Sequence, residues 1–335
     1  MSARFVRRGG FGMTAAIVTS LLLAACGSSS SGDAVSSTTS SSGGTVKNVT
    51  LILGTSSDDF YKSIECGAKL KAKETGVNLT VQGAGQFDPT LQIPIVNAVA
   101  ATKPDAIIIA PTDDTALYAP LKTATDAGSK LILVDTTLKQ ADIAAGHIGS
   151  DYVLYGKQGG EQIGKLTGGK GTVLGIFSPP GVSTNDLGRQ GFSEAMKAFP
   201  GITVLPFEYS SGAAGKSVAI TAAALAAHPD LAGIFTFNGG DSVGVVTALR
   251  EANAADRVNF VSGDAQPFQV EQLKAGQVKA LVIQQARTMG MLAIEYALKA
   301  IAGQTVPPET ALPTVVGNTE NISTPEVANN LYGSC

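Results

Sequence analysis

The sequence predicts an α/β protein built from two doubly wound parallel-sheet lobes. From residue 46 onward, short apolar runs alternate with segments of helical length. The runs are unbroken stretches of Val, Ile, Leu and Phe, which is typical of strands buried on both faces of a parallel sheet. About ten such strands are many for one open sheet, and the alternation restarts near Asp151. We therefore expect two lobes of similar size, built from right-handed strand–helix–strand units.

The elements follow in a regular order along the chain. The apolar runs predict strands at 49–53, 78–81, 106–110, 131–134, 172–177, 203–207, 233–237, 258–262 and 279–283. The segments between them predict helices at 60–74, 90–101, 116–127, 153–166, 188–198, 217–227, 242–252, 270–274 and 288–302. The glycine-rich segment 168–171 precedes a strand instead of following one, so it is expected to be a turn and not a phosphate-binding loop.

The composition indicates a folded protein with a large core. The chain has 335 residues, of which 44% are hydrophobic and 15% charged, and this excludes extensive disorder. Its 24 basic and 27 acidic side chains give a net charge of −3. Because there is no basic surplus, we expect no nucleic-acid partner.

The first 25 residues have the character of an export signal. A short region with three Arg precedes an apolar run at 13–25, which is too short to cross a bilayer. The run ends in Leu23-Ala24-Ala25-Cys26, which resembles the bacterial lipobox. That resemblance implies cleavage before Cys26, lipidation of its thiol and a membrane anchor. The alternative is an ordinary signal peptide followed by a chance cysteine.

The segment after Cys26 is expected to be a tether. Residues 27–44 are mostly Ser, Thr and Gly, which bury too little apolar surface to fold. Apart from Cys26, the chain contains only Cys66 and Cys335. Export permits a disulfide between them, which would fasten the C-terminus to the first predicted helix. Two free thiols are the alternative.

Polar side chains follow most of the predicted strands. In parallel sheets, ligands bind at the carboxyl ends of the strands, where carboxylates and amides can hydrogen-bond hydroxyl groups and aromatic rings can cover C–H faces. Asp135 and Asp264 each end a buried apolar run, where an unpaired carboxylate would be costly. These residue types suit a polyhydroxylated ligand. Simpler roles are also open, because Thr112, Asp113, Asp241 and Ser242 could cap helices and the aromatic residues could be core.

Motifs for catalysis are absent from the sequence. The two histidines, His147 and His228, lie in unrelated segments, and no nucleotide-binding, zinc-protease or Cys-x-x-Cys motif occurs. The acid pairs Asp58-Asp59 and Asp113-Asp114 leave a glycosidase as an alternative, but adjacent acids on a loop do not fix the separation that glycosidases need. We expect a protein that is not an enzyme, with no cofactor and no metal site.

Taken in order, the strand and turn segments resemble the type I periplasmic sugar-binding proteins that serve ABC transporters, in their ribose-binding branch. The resemblance covers 46–304 and is carried by the segments 55–67, 104–113, 127–135, 147–151, 227–238, 263–264 and 284. It implies two lobes that are joined by three hinge crossings and close over one ligand. The N-terminal lobe would then comprise 46–150 with about 285–313, and the C-terminal lobe 151–284 with part of 314–335.

The resemblance also implies a set of ligand-binding residues. They are Asp58, Phe60, Tyr61, Asp135, Thr136, Arg189, Asn238, Asp264 and Gln284, with Asp59, Gln86 and Asp113 as weaker candidates. The departures from the family pattern concern charge. Asp58 replaces an amide, Thr136 and Gly188 stand where ribose binders carry Arg, and Arg189 falls one place from the second of these positions. We therefore expect a sugar other than ribose, a polyol, or a ligand with a cationic amine.

These observations together predict an extracytoplasmic, lipid-anchored solute-binding protein. It would act as a monomer, capture a sugar-like molecule between its lobes and deliver it to an ABC permease. The alternative is a ligand-sensing subunit of a membrane signalling protein, which would use the same fold.

Overall fold

The computed structural model describes residues 46–178, 182–210, 212–333 and 335. The export signal, the lipidation site at Cys26 and the tether therefore lie outside the described residues.

Thirteen strands and ten helices occur in these parts of the chain. The strands are β1 Asn48–Leu53, β2 Asn78–Gly83, β3 Ala106–Ile109, β4 Lys130–Val134, β5 Gly146–Ser150, β6 Lys170–Phe177, β7 Gly201–Val204, β8 Glu208–Tyr209, β9 Leu231–Thr236, β10 Asn259–Gly263, β11 Ala280–Ile283, β12 Glu309–Leu312 and β13 Val315–Gly317. The helices are α1 Asp59–Thr75, α2 Pro89–Thr102, α3 Tyr118–Asp126, α4 Tyr152–Leu166, α5 Ser183–Met196, α6 Ala214–Ala227, α7 Asp241–Glu251, α8 Pro267–Lys274, α9 Ala286–Ile301 and α10 Pro325–Ala328.

The strands form two sheets, which we call the first and second lobes. The first sheet has the order β12-β5-β4-β3-β1-β2 and is parallel throughout. The second has the order β13-β11-β10-β9-β6-β7, with β8 also paired to β6, and only β13 runs antiparallel. The central strands are almost fully buried, because helices cover both faces. This arrangement confirms the predicted fold class.

The chain passes between the sheets three times. It leaves the first sheet after β5, returns after β11, and leaves again between β12 and β13. Helix α9 packs against α1, β3 and β4, so it belongs to the first lobe, whereas α4 packs against α5 and the second sheet. The lobe boundaries near 150, 284 and 313 stay a prediction with which this strand order agrees.

One helix pair in each lobe is held together at very short range by glycine. A Cβ on Gly67 of α1 would overlap the carbonyl oxygen of Arg287 in α9, and one on Gly290 of α9 would overlap that of Ile64. In the second lobe, a Cβ on Gly156 of α4 would overlap the backbone of α5 in the same way. These helices can approach so closely only because the contact positions have no side chain.

Several sequence-based expectations were wrong in detail. The expected strand at 203–207 is instead the separate strands β7 and β8, and α5 begins at Ser183 instead of residue 188. Strands β5, β8, β12 and β13 and helix α10 were not predicted. Strand β5, with the sequence GHIGS, has one large apolar residue and therefore no apolar run. Within the described residues, no helix combines the length and the apolar character needed to cross a bilayer.

Candidate functional site

Two aspartates occupy equivalent places in the two sheets. Asp135 follows β4 and Asp264 follows β10, and both have left-handed backbone conformations, with φ of 63° and 70°. The backbone N–H of each donates to a carbonyl oxygen of the neighbouring strand at 2.8 Å, that of Ile148 for Asp135 and that of Val282 for Asp264. A positive φ is uncommon outside glycine, and such residues concentrate at functional sites. The repetition of this feature in both lobes marks the site.

The Asp135 carboxylate is held by two tyrosines. The Tyr61 hydroxyl of α1 donates to one oxygen at 2.7 Å, and the Tyr152 hydroxyl of α4 donates to the other at 2.6 Å. Burial raises the pKa of Asp135, although both hydroxyl donors act in the opposite direction. Beside it lies a cavity of about 280 Å³ lined by residues of both lobes, among them Tyr152, Ser183 and Glu309.

The Asp264 carboxylate has an equivalent set of donors. The Gly239 backbone N–H lies 2.9 Å from one oxygen, and the Gln284 amide and the Tyr332 hydroxyl lie 3.1 and 3.0 Å from the other. The Tyr155 hydroxyl of α4 lies 3.5 Å from that second oxygen. Burial, together with the like charge of Asp58, raises the pKa of Asp264 to about 7.

Asp58 connects the two lobes. Its carboxylate accepts from the Phe60 backbone N–H at 2.8 Å and so caps α1, and the same oxygen accepts from the Gln266 amide of the second lobe at 2.7 Å. Burial raises the pKa of Asp58. The Asp58 charge in turn raises the pKa of both Asp135 and Asp264, so the three acids share one electrostatic environment.

Aromatic rings line the same region. The Phe60 and Tyr61 rings pack edge to face with centroids 5.1 Å apart, and the Tyr332 ring lies 5.5 Å from that of Phe60. Phe87 stacks on Tyr61 at 6.3 Å. The sequence-predicted pair Phe60 and Tyr61 is therefore part of a larger aromatic wall.

Gln284 lies at the second crossing, as expected. Its side-chain oxygen accepts from Ser150 of β5 at 3.0 Å while its nitrogen donates to Asp264. A single amide thus joins the two sheets through hydrogen bonds.

Three further predicted residues make contacts of other kinds. Asn238 follows β9 and exchanges hydrogen bonds with Ser178. The Thr136 hydroxyl donates to the Pro111 carbonyl at 2.7 Å, which ties two loops of the first lobe together. Arg189 pairs with Asp186 and donates to the Tyr209 hydroxyl at 3.1 Å. Their part in ligand binding stays a prediction.

The weaker candidates make local contacts or are exposed to solvent. Asp59 pairs with Lys62 at 2.9 Å, and Gln86 is exposed. Asp113 accepts from the backbone N–H groups of Thr115 and Ala116, which gives it a local structural role in the loop before α3.

The acids of the site form no ion pair with the residues that the structure describes. Across the parts of the chain that the structure describes, no ion pair includes Asp58, Asp135 or Asp264. The site is therefore rich in acceptors and negative charge, with hydroxyl and amide groups as its donors.

Comparison with known protein families identifies the family of this chain. A family model described as a periplasmic binding protein domain matches residues 49–305. The chain belongs to the periplasmic binding protein family. Membership implies an extracytoplasmic location and confirms the resemblance to the type I sugar-binding members.

Relatives with similar sequences agree with this family assignment. The D-ribose/D-allose-binding protein of Pseudomonas aeruginosa is 30% identical over 265 residues, which span 77% of this chain and 83% of that protein. The ribose import binding protein of Salmonella typhimurium is 29% identical over 258 residues, or 77% of this chain and 86% of that protein. These relatives are named as binding proteins, which confirms that this periplasmic binding protein is not an enzyme.

Solved structures show the same architecture. An ABC transporter solute binding protein from Agrobacterium vitis, bound with alpha-D-tagatopyranose, has 35% identity and a TM-score of 0.83, and the match covers 86% of this chain and 100% of that one. A carbohydrate transporter solute binding protein from Agrobacterium radiobacter, in complex with D-arabinose, has 26% identity and a TM-score of 0.80, with 86% and 99% coverage.

Sequence reasoning missed several residues of this periplasmic binding protein's site. Tyr152 and Tyr332 donate to the two carboxylates, and Gln266 bridges to Asp58. Tyr155 lies 3.5 Å from Asp264, but its hydroxyl donates to the Phe237 carbonyl at 3.0 Å. Tyr152 and Tyr155 begin a helix and have the pattern of core residues. Tyr332 gave one usable signal, because it lies three positions before Cys335 and a disulfide would bring it to α1.

Proposed function

We propose that this protein captures a sugar or sugar-like molecule between its two lobes and delivers it to an ABC importer. The observation that carries the proposal is the pair of buried carboxylates of Asp135 and Asp264, one at the tip of each sheet and each on a backbone with positive φ. A buried carboxylate with free acceptor capacity suits ligand hydroxyl groups, which donate. The sugars named for the relatives above support the same ligand class.

Capture follows from contacts to both lobes. Asp58, Phe60, Tyr61 and Asp135 would hold the ligand from the first lobe, and Asn238 and Asp264 from the second. A ligand that touches both sides stabilises the closed arrangement by its differential affinity for it. Gln284 at the crossing then connects closure to the Asp264 carboxylate.

The charge of the site supports a ligand other than ribose. Asp58, Asp135 and Asp264 form no ion pair with any described residue, so they favour ligand groups that donate hydrogen bonds. A sugar or polyol with many hydroxyl groups, or one that carries an amine, suits such a site. Arg189 pairs with the exposed Asp186 and donates to the Tyr209 hydroxyl, so its charge already has a partner in this arrangement.

A ligand panel tests the proposal. Residues 45–335 form one compact unit, so this segment is suitable for study. Thermal unfolding is followed with D-ribose, D-allose, D-arabinose, D-tagatose, polyols and amino sugars. A ligand at 100 times its Kd adds about 2.7 kcal/mol to stability, or on the order of 5–10 °C.

Matched variants assign the effect to the site. Asp135→Asn and Asp264→Asn should lose the ligand-induced shift, whereas Asp256→Asn, at an exposed position of the second lobe, should keep it. Stabilisation by amino sugars alone would select the cationic class. No shift with any compound would contradict sugar capture.

The membrane anchor is part of the same proposal and is supported by the sequence Leu23-Ala24-Ala25-Cys26. Lipidation of Cys26 would keep the binding unit near its permease. We expect Cys26→Ala to move the protein from the membrane fraction to the soluble fraction after export. Unchanged fractionation would contradict the anchor without affecting the ligand proposal.

A further inference from the structure

The C-terminal tail reaches the ligand site. After β13 the chain forms α10 beside the second sheet and then runs to Tyr332, which is 6% exposed. The Tyr332 backbone N–H donates to the Ala265 carbonyl at 3.0 Å, one residue beyond Asp264. Its hydroxyl accepts from the Gln284 backbone N–H at 3.2 Å and donates to the Asp264 carboxylate at 3.0 Å. Tyr332 therefore bonds to Asp264 itself and to the backbone of the two segments that flank it, at Ala265 and Gln284.

The next residues of the tail attach to the other lobe. The Gly333 backbone N–H donates to the Ser63 hydroxyl at 2.9 Å, and Cys335 forms a disulfide with Cys66, with Cα atoms 5.2 Å apart. Phe60, Ser63 and Cys66 are spaced three apart along α1 and lie on one face of it. The tail runs along this face, and the Tyr332 ring packs on Phe60.

The disulfide limits where Tyr332 can go. Three residues of extended chain span at most about 10 Å, so an intact cross-link keeps Tyr332 close to α1. Without the cross-link, residues 332–335 would be held by noncovalent contacts alone, and segments at the end of a domain fray unless they are tied down. The tail is therefore a fourth connection between the lobes, in addition to the three crossings.

We propose that Tyr332 is a positioning residue for Asp264 and that the Cys66–Cys335 disulfide holds it in place, so that ligand affinity depends on the cross-link. The inference rests on the proposed function, because it assumes that Asp264 binds the ligand. The Tyr332 hydroxyl orients the carboxylate and favours its ionised, accepting form. The titratable groups that face Asp264 are Asp58 from the α1 cap, Tyr155 from α4 and Tyr332 from the tail; Gln284 and the Gly239 N–H are uncharged.

Four variants of residues 45–335 test the inference. They are Tyr332→Phe, the double variant Cys66→Ser/Cys335→Ser, the triple variant that combines them, and Tyr296→Phe as a matched control. Tyr296 is as buried as Tyr332, and its hydroxyl shares a hydrogen bond with Thr310 at 2.8 Å within the first lobe. The Kd of the sugar that best stabilises the unsubstituted protein is measured by calorimetry from pH 5.5 to 8.5.

We expect Tyr332→Phe to weaken binding roughly tenfold, since a hydrogen bond to a charged group is lost. The pH at which affinity is half-maximal should also move upward. The double variant should weaken binding in the same direction. The triple variant should bind no more weakly than Tyr332→Phe alone, because the disulfide acts through the contact that this substitution already removes. Tyr296→Phe should lower thermal stability but leave affinity and pH profile unchanged.

A measurement without ligand separates this inference from the proposed function. The carboxyl ¹³C shift of Asp264 is titrated in the ligand-free protein, where Tyr332→Phe and the double variant should raise the midpoint. Unchanged Kd, pH profile and Asp264 midpoint in Tyr332→Phe would overturn the inference. If no sugar binds the unsubstituted protein, the proposed function fails, and the Asp264 midpoint alone decides whether Tyr332 positions the acid.

Discussion

Two buried carboxyl groups, those of Asp264 and Asp241, are expected to destabilise the ligand-free protein at neutral pH. A carboxyl group with an unfolded pKa near 4 and a raised native pKa makes no difference to stability at low pH, where it is protonated in both states. As pH rises through the native pKa, ionisation costs more in the folded state, and stability falls. Asp264, with a pKa near 7, and Asp241, with a pKa near 6, both act in this direction.

Asp241 gives the clearest test of this effect. It is fully buried at the start of α7, and neither carboxylate oxygen has a hydrogen bond of normal geometry with any residue that the structure describes. Burial raises the pKa of Asp241 to about 6, although the neighbouring Ser210, Ser217 and Asn238 side chains act in the opposite direction. We expect Asp241→Asn to stabilise the protein by on the order of 2–3 kcal/mol at pH 7.5 and not at pH 4. Urea unfolding at both pH values measures this, and Asp256→Asn is the exposed control. An equal gain at pH 4 would contradict the electrostatic origin.

Ligand binding should depend on pH in the opposite sense. Ligand hydroxyls need the ionised form of Asp264, which declines as pH falls below about 7. We expect Kd to rise by up to about tenfold per pH unit below that value. Calorimetric titrations between pH 5 and 8 check the slope, and the same Kd at pH 5.5 and pH 8 would show that Asp264 does not accept from the ligand.

The acids of the site could be predicted from the sequence, but the groups that hold them could not. Asp135 and Asp264 stand out because a carboxylate ends a buried apolar run. Tyr332 is separated from Asp264 by 68 residues, and only the folded tail brings their side chains together. The sequence contains no local pattern for such a contact.

At the level of elements, packing between helices determines where the site residues stand. Helix α1 carries Asp58 at its cap, Phe60, Tyr61 and Cys66, and its position depends on the close approach to α9 at Gly67 and Gly290. The two lobes use the same device in different helix pairs.

We expect Gly67→Ala to destabilise the protein by about 2–4 kcal/mol, because the new methyl group must push α1 away from the Arg287 carbonyl. Thermal or urea unfolding measures the loss. Gly215→Ala in α6 is the control, since its Cβ would meet no atom within 4 Å and should stabilise the helix by about 0.5 kcal/mol. Equal effects of the two substitutions would rule out the proposed packing.

Strands with continuous apolar runs were predictable from the sequence, whereas strands that form only by pairing at the edge of a sheet were not. Strand β3 is four buried residues, Ala-Ile-Ile-Ile, and its type is clear from sequence. Strand β12, Glu309–Leu312, alternates half-buried and exposed positions and exists because its backbone pairs with β5 at the edge of the sheet. Edge pairing depends on the rest of the fold, so a short segment alone does not reveal it.

Across the whole molecule, direct hydrogen bonds join the lobes in addition to the crossings. The Gln266 amide donates to Asp58, and the Thr137 backbone N–H donates to the Ser183 hydroxyl at 3.0 Å. The described arrangement is therefore stabilised by contacts that opening would break.

We expect Gln266→Ala to shift the ligand-free protein towards an open form and to weaken ligand binding several-fold, since an interlobe bond to a carboxylate is lost. Small-angle X-ray scattering should report a larger radius of gyration. Asn78→Ala is the control, because that amide bonds to Asn48 within the first sheet. An unchanged radius together with unchanged affinity would contradict a closing role for Gln266.

The Cys66–Cys335 bond also gives the backbone a circular covalent structure. The two cysteines are 269 positions apart, so the ring contains nearly all of both lobes. In the chain-entropy treatment, closing a loop of this size raises the free energy of the unfolded chain by roughly 5.6 kcal/mol at room temperature. A ring also tolerates a cut: one protease cleavage between the cysteines leaves both pieces joined. Outside the cytoplasm, a nicked molecule would therefore keep all its parts, and any anchor before residue 66 would still hold both lobes.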